Sequence, residues 1–239
     1  MLFTKDNKSK FDFISWKAFI VVLVLLFASI LFCFIYIPVM LIKILPAYKD
    51  FFISHYFGIF LYFLSAGLSI YIIYYFCCKR KMKSFVHGLF LINPSKKVYL
   101  YSIIIGLLMP IASLPLIFKF APKQFYAMDL LGQEGGLVFL IFSATLAPLS
   151  EEIFYRGFIF PFFQSKTNSF WGVVITAIFF GVSHFFNVGS AFILLGLFMF
   201  YGLVLTFVRY FTNSLIPPII IHLIHNAVLM TSFLFFGNK

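Results

Sequence analysis

Two adjacent glutamates, Glu151 and Glu152, are prominent because the whole chain has only seven acidic residues. Both lie in a long apolar run, where an ionisable side chain is costly and marks a candidate functional site. On a helix, Glu152 and Arg156 share one face four residues apart, so that the guanidinium can pair with Glu152 and offset its desolvation. Glu151 points about 100° away and has no such partner in the sequence. The spacing predicts a structural pair, Glu152 with Arg156, and a free carboxylate, Glu151, that acts as a base.

Histidines and an asparagine occupy two further apolar runs. His184 is alone in its run, whereas His222 and Asn226 share a helix face at i,i+4 and His225 flanks them. Taken singly, such residues more often hydrogen-bond to a neighbouring helix than catalyse a reaction. At about 1.5 Å per residue, however, Glu151, His184 and the His222/Asn226 pair all fall in the middle and inner half of the bilayer. The inventory fits amide hydrolysis, with a carboxylate and a histidine to activate water and neutral donors to stabilise the oxyanion.

The composition indicates that these residues lie in a membrane. The hydrophobic set makes up 63% of the chain and charged residues 10%, against about 25% charged in a soluble domain, which excludes a soluble globular protein. A helical crossing needs about 20 apolar residues, and the runs here are that long and continuous. We predict an all-α fold, a polytopic transmembrane helical bundle of about seven helices. The predicted spans are residues 17–41, 51–76, 98–118, 137–164, 170–186, 190–208 and 215–236.

Prolines predict irregularities in two of these spans. Pro148, one turn before the paired acids, removes a backbone donor and is expected to kink the fourth span, admitting water or substrate. Pro110 and Pro115 are expected to interrupt the third span. The stretch that follows, to Gly135 and Gly136, is expected to be either a loop or an interfacial or re-entrant helix.

The net charge of +11 is explained by topology. The N-terminal residues Lys5, Lys8 and Lys10 and the basic stretch 79–83 are placed in the cytoplasm by the positive-inside rule. We therefore predict an integral membrane protein with a cytoplasmic N-terminus and a retained first span. The lipid bilayer is an expected partner and nucleic acid is not. Small residues of the sixth span, such as Gly196 and Gly202, allow close helix packing. Packing within the chain is the default expectation, and the oligomeric state is not fixed.

Three motifs, in this order on successive membrane helices, resemble those of the CPBP family. They are Glu151-Glu152-x-x-x-Arg156, Phe180-x-x-x-His184 and His222-x-x-x-Asn226. That family comprises type II CAAX prenyl endopeptidases and the bacterial Abi, bacteriocin-processing and immunity relatives. The resemblance covers about residues 137–236. We accordingly divide the chain into accessory transmembrane helices with a basic cytoplasmic loop, 1–135, and CAAX-protease-like catalytic helices, 136–239.

The resemblance implies an intramembrane endopeptidase that cleaves a membrane-associated peptide or protein. The short chain is similar to the bacterial relatives, which implies a location in the bacterial cytoplasmic (inner) membrane. By the family's pattern, Glu151 and His184 activate the attacking water, and His222 and Asn226 form the oxyanion hole. The positions of the Glu152 pair hold the site together, in agreement with the pairing expected from spacing alone. His225 is outside the motifs and is given no role beyond hydrogen bonding near the site.

No cofactor is expected, because a glutamate-activated water needs no metal. Zinc is the alternative, since Glu151, His184 and His222 supply three ligands and leave an open position. It comes second because the sequence lacks a His-Glu-x-x-His helix.

Two alternative functions without proteolysis are also consistent with the sequence. The first is a bacteriocin immunity or membrane scaffold protein that keeps the polar residues for folding alone. The second is a proton-coupled transporter with a buried relay. The transporter is less favoured, because the first three spans are almost free of charge.

Overall fold

The bundle consists of seven principal helices. The computed structural model describes residues 14–79, 88–120, 136–188 and 191–236, and within these ranges the chain forms helices and short connections without a strand. The helices are α1 (Trp16–Ile44), α2 (His55–Cys77), α3 (Lys96–Phe120), α4 (Gly136–Lys166), α5 (Ser169–Ser183), α6 (Phe192–Thr212) and α7 (Ile216–Phe236). The prediction of an all-α bundle of about seven helices is confirmed.

Six helices of the described part are long and apolar enough to cross a membrane. The exception is α5, which has 15 residues. It extends about 22 Å, less than the roughly 30 Å of a hydrocarbon core. A one-turn helix, Phe185–Val188, follows it directly after His184. The predicted fifth span is therefore present as a short helix with an added turn.

The third helix continues through both of its prolines, so the predicted interruption at Pro110 and Pro115 is wrong. Prolines are tolerated in membrane helices when neighbouring groups compensate for the lost backbone bonds. Here the Ser113 hydroxyl donates to the Pro110 carbonyl at 3.0 Å. Close packing on α7 also supports the helix: a Cβ on Gly106 would lie 2.9 Å from Cβ of Ile224.

Several predictions concern segments outside the described residues. These segments are the N-terminal Lys5, Lys8 and Lys10, the basic residues 80–83 and the stretch 121–135 that was considered as a re-entrant helix. The cytoplasmic position of the N-terminus accordingly stays a prediction.

The first helix packs directly on α4. The ring of Phe19 stacks on that of Phe162, with centroids 3.8 Å apart and an interplanar angle of 5°, and on Phe158 at 5.2 Å. Val22 and Leu26 of α1 belong to the same buried cluster. Helices of the first half of the chain thus form a wall against the segment that follows the paired acids.

The fourth helix is irregular on both sides of those acids. It breaks at Thr145, with φ −124° and ψ −78°. Pro148 lacks an N–H and its ring crowds the carbonyl of Ala144, four residues earlier, so the break lies where this proline acts. A π-helical turn, Tyr155–Ile159, follows; such turns are frequent at functional sites. The expected kink is present, and the two acids lie between two irregular turns.

Helices α5 and α6 approach each other at glycines. A Cβ on Gly202 would lie 2.9 Å from Cα and 3.0 Å from O of Ala177, and one on Gly181 would lie 2.9 Å from the backbone nitrogen of Met199. Backbone atoms cannot move aside as a flexible side chain can. Gly196, on the same helix as Gly202, has no atom within 4 Å of the corresponding position. The close packing predicted for Gly202 therefore occurs within the chain.

We expect Gly202→Ala to destabilise the bundle, because the added methyl group meets backbone and forces α5 and α6 apart. Overpacking of this kind costs about 1–3 kcal/mol. The matched control is Gly196→Ala, which adds the same atom into open space and should leave stability unchanged or slightly higher. Thermal unfolding of the two variants in detergent gives the measurement, and equal midpoints would contradict the close contact.

Candidate active site

Three helices bring the predicted polar side chains to one cavity. Glu151 projects from α4, His184 from the end of α5, and His222 and Asn226 from α7. All four line a cavity of about 200 Å³. A carboxylate, two imidazoles and an amide from distant parts of the sequence thus face a common space.

The Glu152–Arg156 pair is buried and fully oriented. Arg156 Nη1 lies 2.8 Å from Glu152 Oε1, and both side chains have 0% exposure. The remaining guanidinium nitrogens bind α6: Nε donates to the Thr206 hydroxyl at 3.2 Å and Nη2 to the Gly202 carbonyl at 3.1 Å. The guanidinium carbon also lies 4.5 Å from the ring centroid of Phe180. The predicted pair is present, and it fastens α4 to α6.

The same glutamate also binds His222. His222 Nδ1 lies 2.8 Å from Glu152 Oε1. Because a carboxylate only accepts hydrogen bonds, Nδ1 carries a proton and Nε2 is the atom left toward the cavity. His222 Nε2 is 3.9 Å from Glu151 Oε2. Glu152 therefore fixes the orientation of an imidazole that lies 70 residues away in the sequence.

Glu151 differs from Glu152 in both exposure and bonding. Its side chain is 32% exposed and accepts no hydrogen bond within the described residues, whereas Oε1 of Glu152 accepts two. The Oε2 atoms of both glutamates are buried without a hydrogen-bond partner there. Glu151 lines the 200 Å³ cavity and also a second cavity of about 340 Å³, bordered by α1, α2 and α4. It therefore borders both cavities, and its ion-pair contact within the described residues is His222 Nε2 at 3.9 Å.

The other two side chains are oriented by backbone carbonyls. His184 Nδ1 lies 2.8 Å from the Phe180 carbonyl, which leaves Nε2 as the acceptor of the neutral ring, and the ring stacks on Phe198 with centroids 4.1 Å apart. Asn226 Nδ2 donates to the Ser143 carbonyl at 2.9 Å, beside the break in α4. Each hydrogen bond fixes one end of its side chain. Nε2 of His184 and the remaining amide atoms of Asn226 are left available to a ligand in the cavity.

Sequence reasoning missed the uncharged partners of these groups. Thr206 and Gly202 bind Arg156, and the Ser143 carbonyl binds Asn226. A threonine and a glycine one turn apart on α6 only weakly indicate a hydrogen-bonding site in an apolar helix. A backbone carbonyl leaves no trace in the sequence.

The alternative zinc site needs Glu151, His184 and His222 around one ion. Across the residues that the structure describes, no group of three or more His, Cys, Asp or Glu side chains is arranged to hold a metal ion. Glu151, His184 and His222, as the structure places them, do not form such a group. The absence of a cofactor stays a prediction.

Replacing Arg156 by methionine should strongly destabilise the protein, because Glu152 is then a buried charge without its cation. Breaking such a pair costs about 3–5 kcal/mol. Arg209→Met is the matched control. Arg209 is also 1% exposed on α6, but it has no ion pair in the described ranges and its guanidinium lies over Phe90 at 4.4 Å. The control should change the thermal midpoint little; equal losses for both variants would contradict the role of the pair.

The comparison with known proteins agrees with the motifs. Residues 133–228 match the family model described as Type II CAAX prenyl endopeptidase Rce1-like. No curated protein and no solved structure matches the chain. The matched segment contains all three motifs, so the family resemblance is confirmed over these residues. This segment is similar to the Rce1-like type II CAAX prenyl endopeptidases, which supports at the family level a relation to CAAX-protease-like intramembrane endopeptidases.

Proposed function

We infer that the protein hydrolyses a peptide bond of a membrane-associated peptide or protein, using a water activated by Glu151 and His184. The observation that carries this proposal is the 200 Å³ cavity among membrane-length helices. There a carboxylate whose Oε2 has no hydrogen-bond partner in the described residues meets two oriented histidines and an amide. The Rce1-like match over the same residues supports it.

Water activation falls to Glu151 and His184. The oxygen of the water attacks the carbonyl carbon of the peptide bond, and Glu151 accepts a proton from this water at the same time. His184, held through Nδ1 on the Phe180 carbonyl, presents Nε2 as a second acceptor that orients the water. When the carbon–nitrogen bond breaks, the proton on Glu151 passes to the leaving amine. The Glu151 carboxylate is regenerated. The hydroxyl of the water ends on the new carboxyl group, and its proton ends on the new amine.

His222 and Asn226 stabilise the negative charge that develops on the carbonyl oxygen. With Nδ1–H bound to Glu152, His222 donates from Nε2 when the ring carries its second proton. That charge is compensated by the carboxylates of Glu152 and Glu151, at 2.8 and 3.9 Å. Asn226 uses one amide hydrogen on the Ser143 carbonyl and has the other for the substrate. Preoriented donors of this kind stabilise a developing oxyanion strongly.

The second cavity supports approach of the substrate from the membrane. It lies among α1, α2 and α4, has a mainly apolar lining and ends at Glu151. Many apolar side chains of α1 and α2 are exposed on the outer surface of the bundle, where lipid is expected. We propose that the helices within 1–135 form this access wall while residues 136–239 carry the chemistry. The bacterial inner membrane and a cytoplasmic N-terminus remain part of the proposal.

Glu151→Gln should abolish cleavage while the protein still inserts and accumulates. The amide keeps the shape of the side chain and removes the base, a loss of about 10²–10⁴-fold in rate. Comparison of N-terminal peptides from membranes of cells with wild-type and Glu151→Gln protein would identify the cleaved substrate. Ser165→Ala is the matched control, because Ser165 lies on the same helix outside both cavity linings and its hydroxyl donates to the Phe162 carbonyl. Full activity of purified Glu151→Gln would contradict the proposal, as would an unchanged N-terminal peptide profile.

We expect activity to be independent of added metal. Protein purified without chelator should contain far less than one zinc per chain. It should keep its activity after treatment with a chelator, because Glu151 activates the water directly. Loss of activity on chelation, restored by zinc, would show that the reaction uses a metal instead.

A further inference from the structure

His225 lines the same cavity as the four proposed catalytic side chains. It lies three residues after His222 and directly before Asn226, so one face of α7 carries all three toward the cavity. Its side chain is almost completely buried, at 4% exposure. Its ring packs edge-on against Tyr201, with centroids 4.6 Å apart at 68°. The position therefore places a third imidazole inside the cavity, outside the three sequence motifs.

The hydrogen bonding of His225 differs from that of the other two histidines. His184 Nδ1 binds a backbone carbonyl and His222 Nδ1 binds a carboxylate. His225 Nδ1 is sealed from solvent and has no hydrogen-bond partner within the described ranges of the chain. A buried N–H without a partner is rarer in proteins than an unfilled acceptor. The neutral ring therefore carries its proton on Nε2, the opposite tautomer to that of His184.

Within the described residues, neither ring nitrogen of His225 forms a hydrogen bond. The Tyr201 hydroxyl is also buried without a bonded partner in these ranges, and Ser113 lies near it. The Ser113 hydroxyl donates instead to the Pro110 carbonyl. The proton on His225 Nε2 is thus available to a ligand in the cavity.

The size of the cavity restricts which part of a ligand can receive this proton. A volume of 200 Å³ holds roughly seven waters at about 30 Å³ each. A peptide group within reach of Glu151 therefore occupies the same small cavity that His225 lines. The hydrogen-bond acceptors of a peptide backbone are its carbonyl oxygens.

We propose that His225 donates a hydrogen bond from Nε2 to the carbonyl oxygen of the scissile peptide bond, as a third oxyanion donor beside His222 and Asn226. This inference rests on the proposed peptidase function and extends it by one catalytic residue. The donor is neutral and is not engaged by another protein group. It therefore needs no change of protonation when charge develops on the carbonyl oxygen.

The test compares His225→Phe, which keeps a ring against Tyr201 and removes the donor, with His225→Gln, which keeps an N–H donor. The probe is a synthetic peptide spanning the cleavage site found by the N-terminal comparison. For His225→Phe we expect kcat to fall about 10²-fold with KM within about twofold, because the lost bond forms fully only in the transition state. His225→Gln should recover about tenfold of that loss. The matched control is Ser232→Ala on the same helix, which should keep both constants. Ser232 lies outside the cavity lining, and its hydroxyl donates to the Val228 carbonyl.

Thermal unfolding separates this role from a structural one and requires no substrate. Because Nδ1 has no partner, His225→Phe should leave the midpoint unchanged or raise it. Unchanged kcat in His225→Phe, a rise in KM alone, or a lowered midpoint that His225→Gln does not restore would each overturn the inference. If wild-type protein cleaves no peptide, the peptidase proposal and the oxyanion role fail together. If wild type cleaves and His225→Phe is equally active, the role of His225 alone fails.

Discussion

The buried carboxylate of Glu152 is the interaction on which the rest of the site depends. Its Oε1 receives both Arg156 Nη1 and His222 Nδ1, each at 2.8 Å. A carboxylate in an apolar interior is stable only when its charge is compensated and hydrogen-bonded. The guanidinium that compensates it continues to Gly202 and Thr206. One negative charge thereby fixes α4, α6 and α7 relative to one another, in lipid where apolar burial gives little preference for any one packing.

The break in α4 contributes in a different way. In an uninterrupted helix the Ser143 carbonyl would accept the N–H of Ala147, four residues later. Beside the break, the Ser143 carbonyl accepts a hydrogen bond from Asn226 on α7, so the irregular turn becomes a second tie between these two helices. The two ties orient His222 and Asn226 independently of each other. The side chains that the proposed chemistry needs in a fixed orientation are therefore held by hydrogen bonds. Glu151, which must change its protonation state in that chemistry, accepts no such bond within the described residues.

The sequence predicts whatever depends on spacing within one helix. The pairing of Glu152 with Arg156, the separate environment of Glu151 and the break near Pro148 all follow from helix geometry. Depth in the bilayer predicted that the polar groups share a region, but not the Glu152–His222 bond, which joins helices whose relative rotation the sequence does not contain. The continuity of α3 was missed for a similar reason. Proline propensity is a local rule, and packing against α7 overrides it.

A helix that stops short of the hydrocarbon boundary also acts on the lipid around it. The α5 helix extends only about 22 Å, and a hydrophobic segment shorter than the bilayer is accommodated by thinning of the membrane beside it. His184 is the residue at which α5 ends. Hydrophobic mismatch on this side of the bundle therefore draws the headgroup region toward His184. The second reactant of a hydrolysis, water from the aqueous phase, then has a shorter apolar distance to cross before it reaches the cavity.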